Sequence, residues 1–75
     1  MVKVYSTNTC PWCVKAKNYL KSVGVDFEEL NVQEDMTARD EMINKSKQMG
    51  VPVLDINGTV IVGFDKNAID KALNN

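Results

Sequence analysis

Cys10-Pro11-Trp12-Cys13 is the stretch that decides how this chain is read. It follows a short β-like run, Val2-Lys3-Val4-Tyr5-Ser6, and opens a segment of helical periodicity. Two cysteines three apart at the start of a helix can close a small disulfide with little chain motion. The first thiol lies at the positive end of the helix dipole, where a thiolate is favoured. The chain has no third cysteine. A cysteine pair between a strand and a helix predicts thiol–disulfide exchange chemistry.

Working outward, Pro11 suits a first helical turn, where its missing N–H is harmless. Cys13, Ala16, Leu20 and Val23 recur at helical spacing, and Gly24 is a good C-terminal stop. Val25–Val32 reads as a second strand with a break in phase. Asp35 caps a second helix with Met36, Met42, Ile43 and Met49 as apolar positions, and these methionines read as core filling. Val51–Ile56 and Thr59–Val62 are strands joined by Asn57-Gly58, a strong signal for a tight hairpin. Gly63 breaks the last strand. Asp65 then caps a helix with Ala68, Ile69, Ala72 and Leu73 on its apolar face. The order βαβαββα is an α/β pattern. Its first βαβ unit is expected to be parallel, with the hairpin extending the same sheet. No linker, repeat or low-complexity segment appears, so residues 1–75 are expected to form one domain.

A 75-residue chain buries only about 60 % of its unfolded surface, so its core is thin. A Cys10–Cys13 bridge closes too small a loop to compensate. Packing must supply the stability, and the 44 % hydrophobic content is adequate for that. Nine basic against ten acidic residues leave a net charge of −1, which suggests neither a nucleic-acid nor a membrane partner. No run approaches the roughly 20 apolar residues of a membrane span. Met1 leads directly into the strand pattern without a signal-peptide signature. A monomer in the reducing cytoplasm is therefore expected, where a lone C-x-x-C is catalytic more often than structural. Lys15, Lys17 and Lys21 form either a solvated helix face or an attractor for an anionic thiol substrate.

An ordinary cysteine is only about 3 % thiolate at pH 7, and lowering its pKa to about 6 makes that roughly 90 %. Cys10 has three means of such lowering: unpaired N–H groups of the first helical turn, the helix dipole, and hydrogen bonds from the Thr9 hydroxyl or the Cys13 thiol. Cys13 shares a helix face with Ala16 and Leu20 and is expected to be shielded. Cys10 is thus the expected nucleophile and Cys13 the resolving thiol. A zinc site would need more ligands than two cysteines and no histidine provide. Trp12 is either a shield for the disulfide or an exposed apolar contact for a redox partner. Pro52 is either an ordinary trans proline at the start of a strand or a cis proline. In cis it would turn the Val51 backbone toward the cysteines and offer it to an extended substrate.

Taken together, Cys10-Pro11-Trp12-Cys13, Val51-Pro52 and Gly63-Phe64-Asp65 resemble the C-P-Y-C, T-V-P and G-G-x-D motifs of the glutaredoxin family, in order and over essentially the whole chain. The resemblance implies a thioredoxin fold: a four-stranded mixed sheet flanked by three helices, with a cis-Pro52 near the disulfide. It implies that no cofactor or metal is bound and that glutathione is the co-substrate. Glutathione would lie along Trp12, Val51, Pro52, Phe64 and Asp65, with Thr9, Pro11 and Gly63 in support. Thr7 stands where many members carry a lysine, and Phe64 where they carry a small residue. Two electron sources therefore remain. The chain could be an oxidoreductase of protein or glutathione-mixed disulfides, recycled by glutathione. It could equally be a thioredoxin-like donor recycled by a flavoprotein disulfide reductase and serving a peroxidase or a ribonucleotide reductase. An iron–sulfur binding module is the third reading, disfavoured by Pro11 and Cys13.

Overall fold

The computed structural model describes residues 1–74. The elements are β1 (Val2–Ser6), α1 (Pro11–Ser22), β2 (Glu28–Asn31), α2 (Met36–Ser46), β3 (Val53–Ile56), β4 (Thr59–Val62) and α3 (Lys66–Leu73). They form one mixed sheet in the order β2-β1-β3-β4. β1 runs parallel to β2 and antiparallel to β3, and β3–β4 is the antiparallel hairpin. The expected four-stranded sheet with three helices is the observed one.

Period-2 alternation in the central strands divides the core. Val2 and Val4 of β1 and Leu54 and Ile56 of β3 face one side, where they join Ala16 and Leu20 of α1 and Ile69 and Ala72 of α3. Tyr5 and Val53 face the other side and pack with Ala38 and Met42 of α2 and with Val32. Both central strands are buried on both faces, which explains their near-continuous apolar character.

Four expectations change. The third strand, expected over Val51–Ile56, covers Val53–Ile56, and Val51 and Pro52 precede it. The second strand covers Glu28–Asn31, not Val25–Val32. As an edge strand it pairs only with β1, while Val25 and Phe27 pack on the core from the preceding loop. That loop is the source of the phase break. The second helix ends at Ser46, with Lys47 as a left-handed C-cap. Met36 and Met49 are exposed, at 60 % and 61 %, so of that set only Met42 is fully core. Val23 is the exposed C-cap of α1 and lies off its buried face.

The hairpin turn follows its sequence signal: Asn57 and Gly58 have φ of 52° and 98°, the left-handed pair a type I′ turn requires. Asp55 fixes it by accepting the Gly58 amide at 2.9 Å. On the α2 side, a polar cluster ties helix to sheet. The Tyr5 hydroxyl donates to Glu41. Lys45 Nζ donates to Tyr5 at 3.0 Å, to Glu41 at 3.2 Å and to Asp55 at 2.6 Å. Hydrogen bonds from Tyr5, Lys45 and Lys3 hold the Glu41 carboxyl down at about 2. The contact with Asp55, followed by that with Tyr5, raises Lys45.

Candidate active site

Cys10 closes the loop after β1 and serves as the N-cap of α1, with extended backbone (φ −112°, ψ 103°). Its Sγ accepts the Cys13 amide at 3.1 Å, and its carbonyl accepts the Val14 amide at 3.2 Å. The sulfur therefore takes the place that a serine or aspartate oxygen usually occupies at a helix start. Pro11 occupies the first helical turn, and that turn contains no acidic residue to oppose a negative sulfur.

Cys10 and Cys13 are disulfide-bonded, with Cα atoms 5.2 Å apart, within the usual range for such a bridge. Their surroundings differ sharply. Cys13 is 0 % exposed beside Ala16 and Leu20, whereas Cys10 is only partly covered. The donor to Cys10 is the Cys13 backbone amide. No hydrogen bond from the Thr9 hydroxyl to Cys10 is present among the described residues, and Thr9 is exposed.

Trp12, Val51, Pro52, Gly63 and Phe64 line one open groove of about 270 Å³. Trp12 is 56 % exposed and points out of the core. The Val51–Pro52 bond is cis, and β3 begins one residue later, at Val53. The Val51 amide and carbonyl enter none of the hydrogen bonds found among the described residues. Gly63, at φ +82°, turns the chain out of β4 and donates its amide to the Pro52 carbonyl at 2.8 Å. Asp65 borders the groove in sequence and caps α3 by accepting the Ala68 amide at 3.1 Å. A larger hollow lined by Met1, Val2, Asp26, Phe27 and Glu28 contains no residue of the Cys10–Cys13 segment, whereas the groove is lined by Trp12 between the two cysteines.

Tyr19 is a supporting residue that no sequence pattern marks. Its ring meets Phe64 edge-on at 6.0 Å, its hydroxyl donates to Asp70, and that bond raises its pKa. α1, α3 and the Phe64 wall are thereby joined. Lys17 pairs with Glu29 and holds that carboxyl below its usual range. Lys15 lies 4.6 Å over the Trp12 ring, a contact that their i,i+3 spacing allows.

Known proteins match this geometry and sequence. The glutaredoxin family model matches residues 2–61. A glutaredoxin-like 8.6 kDa protein from the rubredoxin operon of Clostridium pasteurianum is 58 % identical over 73 residues, covering 97 % of each chain. Glutaredoxin 3 of Escherichia coli K12 is 41 % identical over 64 residues, covering 85 % of this chain and 77 % of that one. Among solved structures, a mutant of the thioredoxin-like protein BC3987 superposes with a TM-score of 0.92 at 32 % identity, covering 99 % and 100 % of the two chains. The glutaredoxin-like NrdH-redoxin of Escherichia coli, described by its thioredoxin-like activity profile, superposes with a TM-score of 0.82 at 26 % identity, covering 93 % and 91 %. With its cysteine pair at the start of α1 and its β2-β1-β3-β4 sheet, the chain belongs to the glutaredoxin family and is a glutaredoxin-like thiol–disulfide oxidoreductase of thioredoxin fold.

Proposed function

We propose that the reduced protein cleaves protein or glutathione-mixed disulfides by a two-cysteine mechanism in the cytoplasm. The observation that carries this reading is the unequal exposure of the two sulfurs at one helix start. The Cys10 thiolate attacks one substrate sulfur, the substrate S–S bond breaks, and the departing sulfur takes a proton. The Cys13 thiolate, released from its proton, then attacks Cys10 Sγ. The second substrate thiol leaves, and two electrons have passed from protein to substrate. Backbone amides of the first turn of α1 stabilise the Cys10 anion before it attacks. The unpaired Val51 amide and carbonyl offer an extended substrate backbone a short β-like contact. Trp12 and Phe64 flank that contact with apolar surface.

In this reading glutathione returns the electrons, its cysteinyl part lying against Val51 and Pro52 and its γ-glutamyl end near Phe64 and Asp65. A flavoprotein disulfide reductase is the second reading. Two observations favour it: Lys17 is committed to Glu29 and so is withdrawn from binding an anionic tripeptide, and the NrdH-redoxin neighbour is described by a thioredoxin-like activity profile. The protein oxidised to its Cys10–Cys13 disulfide separates the two. Recycling by NADPH, glutathione and glutathione reductase supports the first reading. Recycling by a thioredoxin-reductase-type flavoprotein without glutathione supports the second.

A further inference from the structure

Two ammonium groups lie on aromatic rings at or next to the groove. Lys15 Nζ sits over Trp12, one wall of the groove. Lys66 Nζ lies 5.6 Å from the ring of Tyr19, which meets Phe64, a second lining residue, edge-on. The remaining lysines near the sheet are committed, since Lys3, Lys17 and Lys45 all pair with carboxylates. Among the described residues neither Lys15 nor Lys66 makes a salt bridge, and both are exposed. An ammonium resting on a ring face uses one side for the ring and keeps N–H donors for a carboxylate. The nearby acids are engaged elsewhere: an Asp65 oxygen caps α3, and Asp70, four residues after Lys66, accepts the Tyr19 hydroxyl.

We infer that the groove selects protein disulfides flanked by acidic residues, with Lys15 and Lys66 receiving carboxylates on either side of the Trp12–Phe64 cleft. The inference rests on the exchange reading above and adds the substrate class to it. Charge complementarity at an apolar groove acts mainly on encounter rate and partner choice. Because both lysines are exposed, salt must screen the effect.

Trp12 is the only tryptophan, so its fluorescence follows oxidation of the reduced protein in a single turnover. The probes are three synthetic peptides with the same internal disulfide and Asp/Glu, Ser or Lys flanks, with glutathione disulfide as a fourth arm. At low salt the acidic peptide is expected to react about three- to tenfold faster than the serine peptide, two exposed charge contacts being worth that order. The preference disappears at about 1 M salt, where the Debye length is about 3 Å, and in the double variant Lys15→Gln/Lys66→Gln. It persists in Lys71→Gln, a surface variant outside the groove. Equal rates for all three peptides, or a preference that survives the double variant, would overturn the inference. So would a lysine-dependent advantage confined to glutathione disulfide, which would assign the charges to the tripeptide. Failure of every probe to oxidise the protein would overturn the exchange reading itself, an outcome distinct from equal rates.

Discussion

The amide of Gly63 donates to the carbonyl of Pro52 at 2.8 Å, so the two loops that form the groove are bonded directly to each other. One loop carries Val51 and the other carries Phe64. Displacing either changes the distance between the substrate-facing backbone and the aromatic wall.

Gly63→Ala is expected to disturb this link without unfolding the chain. At φ +82° a methyl group meets no neighbouring atom within 4 Å, so the penalty is conformational alone, about 1 kcal/mol. Disulfide-reduction assays should give a raised KM, with kcat changed much less. A kcat loss at unchanged KM would show that the Gly63–Pro52 link does not shape the groove.

Asp65→Ala removes the side-chain cap of α3. The expected cost is about 1 kcal/mol, a fall in Tm of roughly 4–8 °C for a domain of this size. Asp65→Asn keeps an acceptor and should recover most of it. Thermal unfolding by circular dichroism checks both, and an unchanged Tm in the alanine variant would remove the capping role.

Leu20→Ala attacks the packing of α1 against the sheet. Leu20 is fully buried among Val4, Leu54 and Ile69, and such truncations cost about 2–5 kcal/mol. In a chain with so thin a core, urea denaturation should show a large fraction of the stability lost. A loss below about 1 kcal/mol would mean that α1 is held mainly by something other than this face.

Acid sensitivity should trace to Glu41. Its folded pKa is depressed to about 2 from an ordinary 4.5 by Tyr5, Lys45 and Lys3. A depressed carboxyl stabilises the fold fully above its ordinary pKa and loses that contribution as pH falls from about 4.5 toward 2. Glu41→Gln should therefore lower Tm at pH 7 and flatten its decline through that window. Parallel Tm profiles for the two proteins would contradict the assignment.

Local signals in the sequence reached far into this structure. Asn57-Gly58 forms the hairpin turn because both residues tolerate positive φ, and Asp35 and Asp65 cap the helices they were expected to cap. Features set by distant neighbours were hidden. Val25 and Phe27 look like strand residues because they are apolar, yet they pack from a loop and leave β2 only four residues long. Met49 has the spacing of a helical core position but follows the left-handed Lys47 that ends α2, so it faces solvent. The Tyr5–Glu41–Lys45–Asp55 cluster includes a direct bond between residues 40 positions apart, and no periodicity announces it. At the groove, Trp12, Val51, Pro52, Gly63 and Phe64 were legible as separate motifs. The brace from Tyr19 to Phe64 depends on how α1 crosses the β4–α3 turn, which no local pattern encodes.

Substituting the buried sulfur tests the division of labour between the cysteines. Cys13→Ser should leave Cys10 able to attack but unable to release its product, and a stable mixed disulfide should appear by mass spectrometry. Cys10→Ser should abolish turnover in every disulfide assay. Substantial turnover by Cys10→Ser would reverse the roles.

Alkylation of the reduced protein with iodoacetamide across pH, with the labelled site located by mass spectrometry, bears most directly on the helix-start thiolate. The label should fall first on Cys10, with a reaction pKa well below the ordinary value of about 8.5, while Cys13 stays protected. Labelling of Cys13 first, or an unshifted pKa at Cys10, would contradict the account.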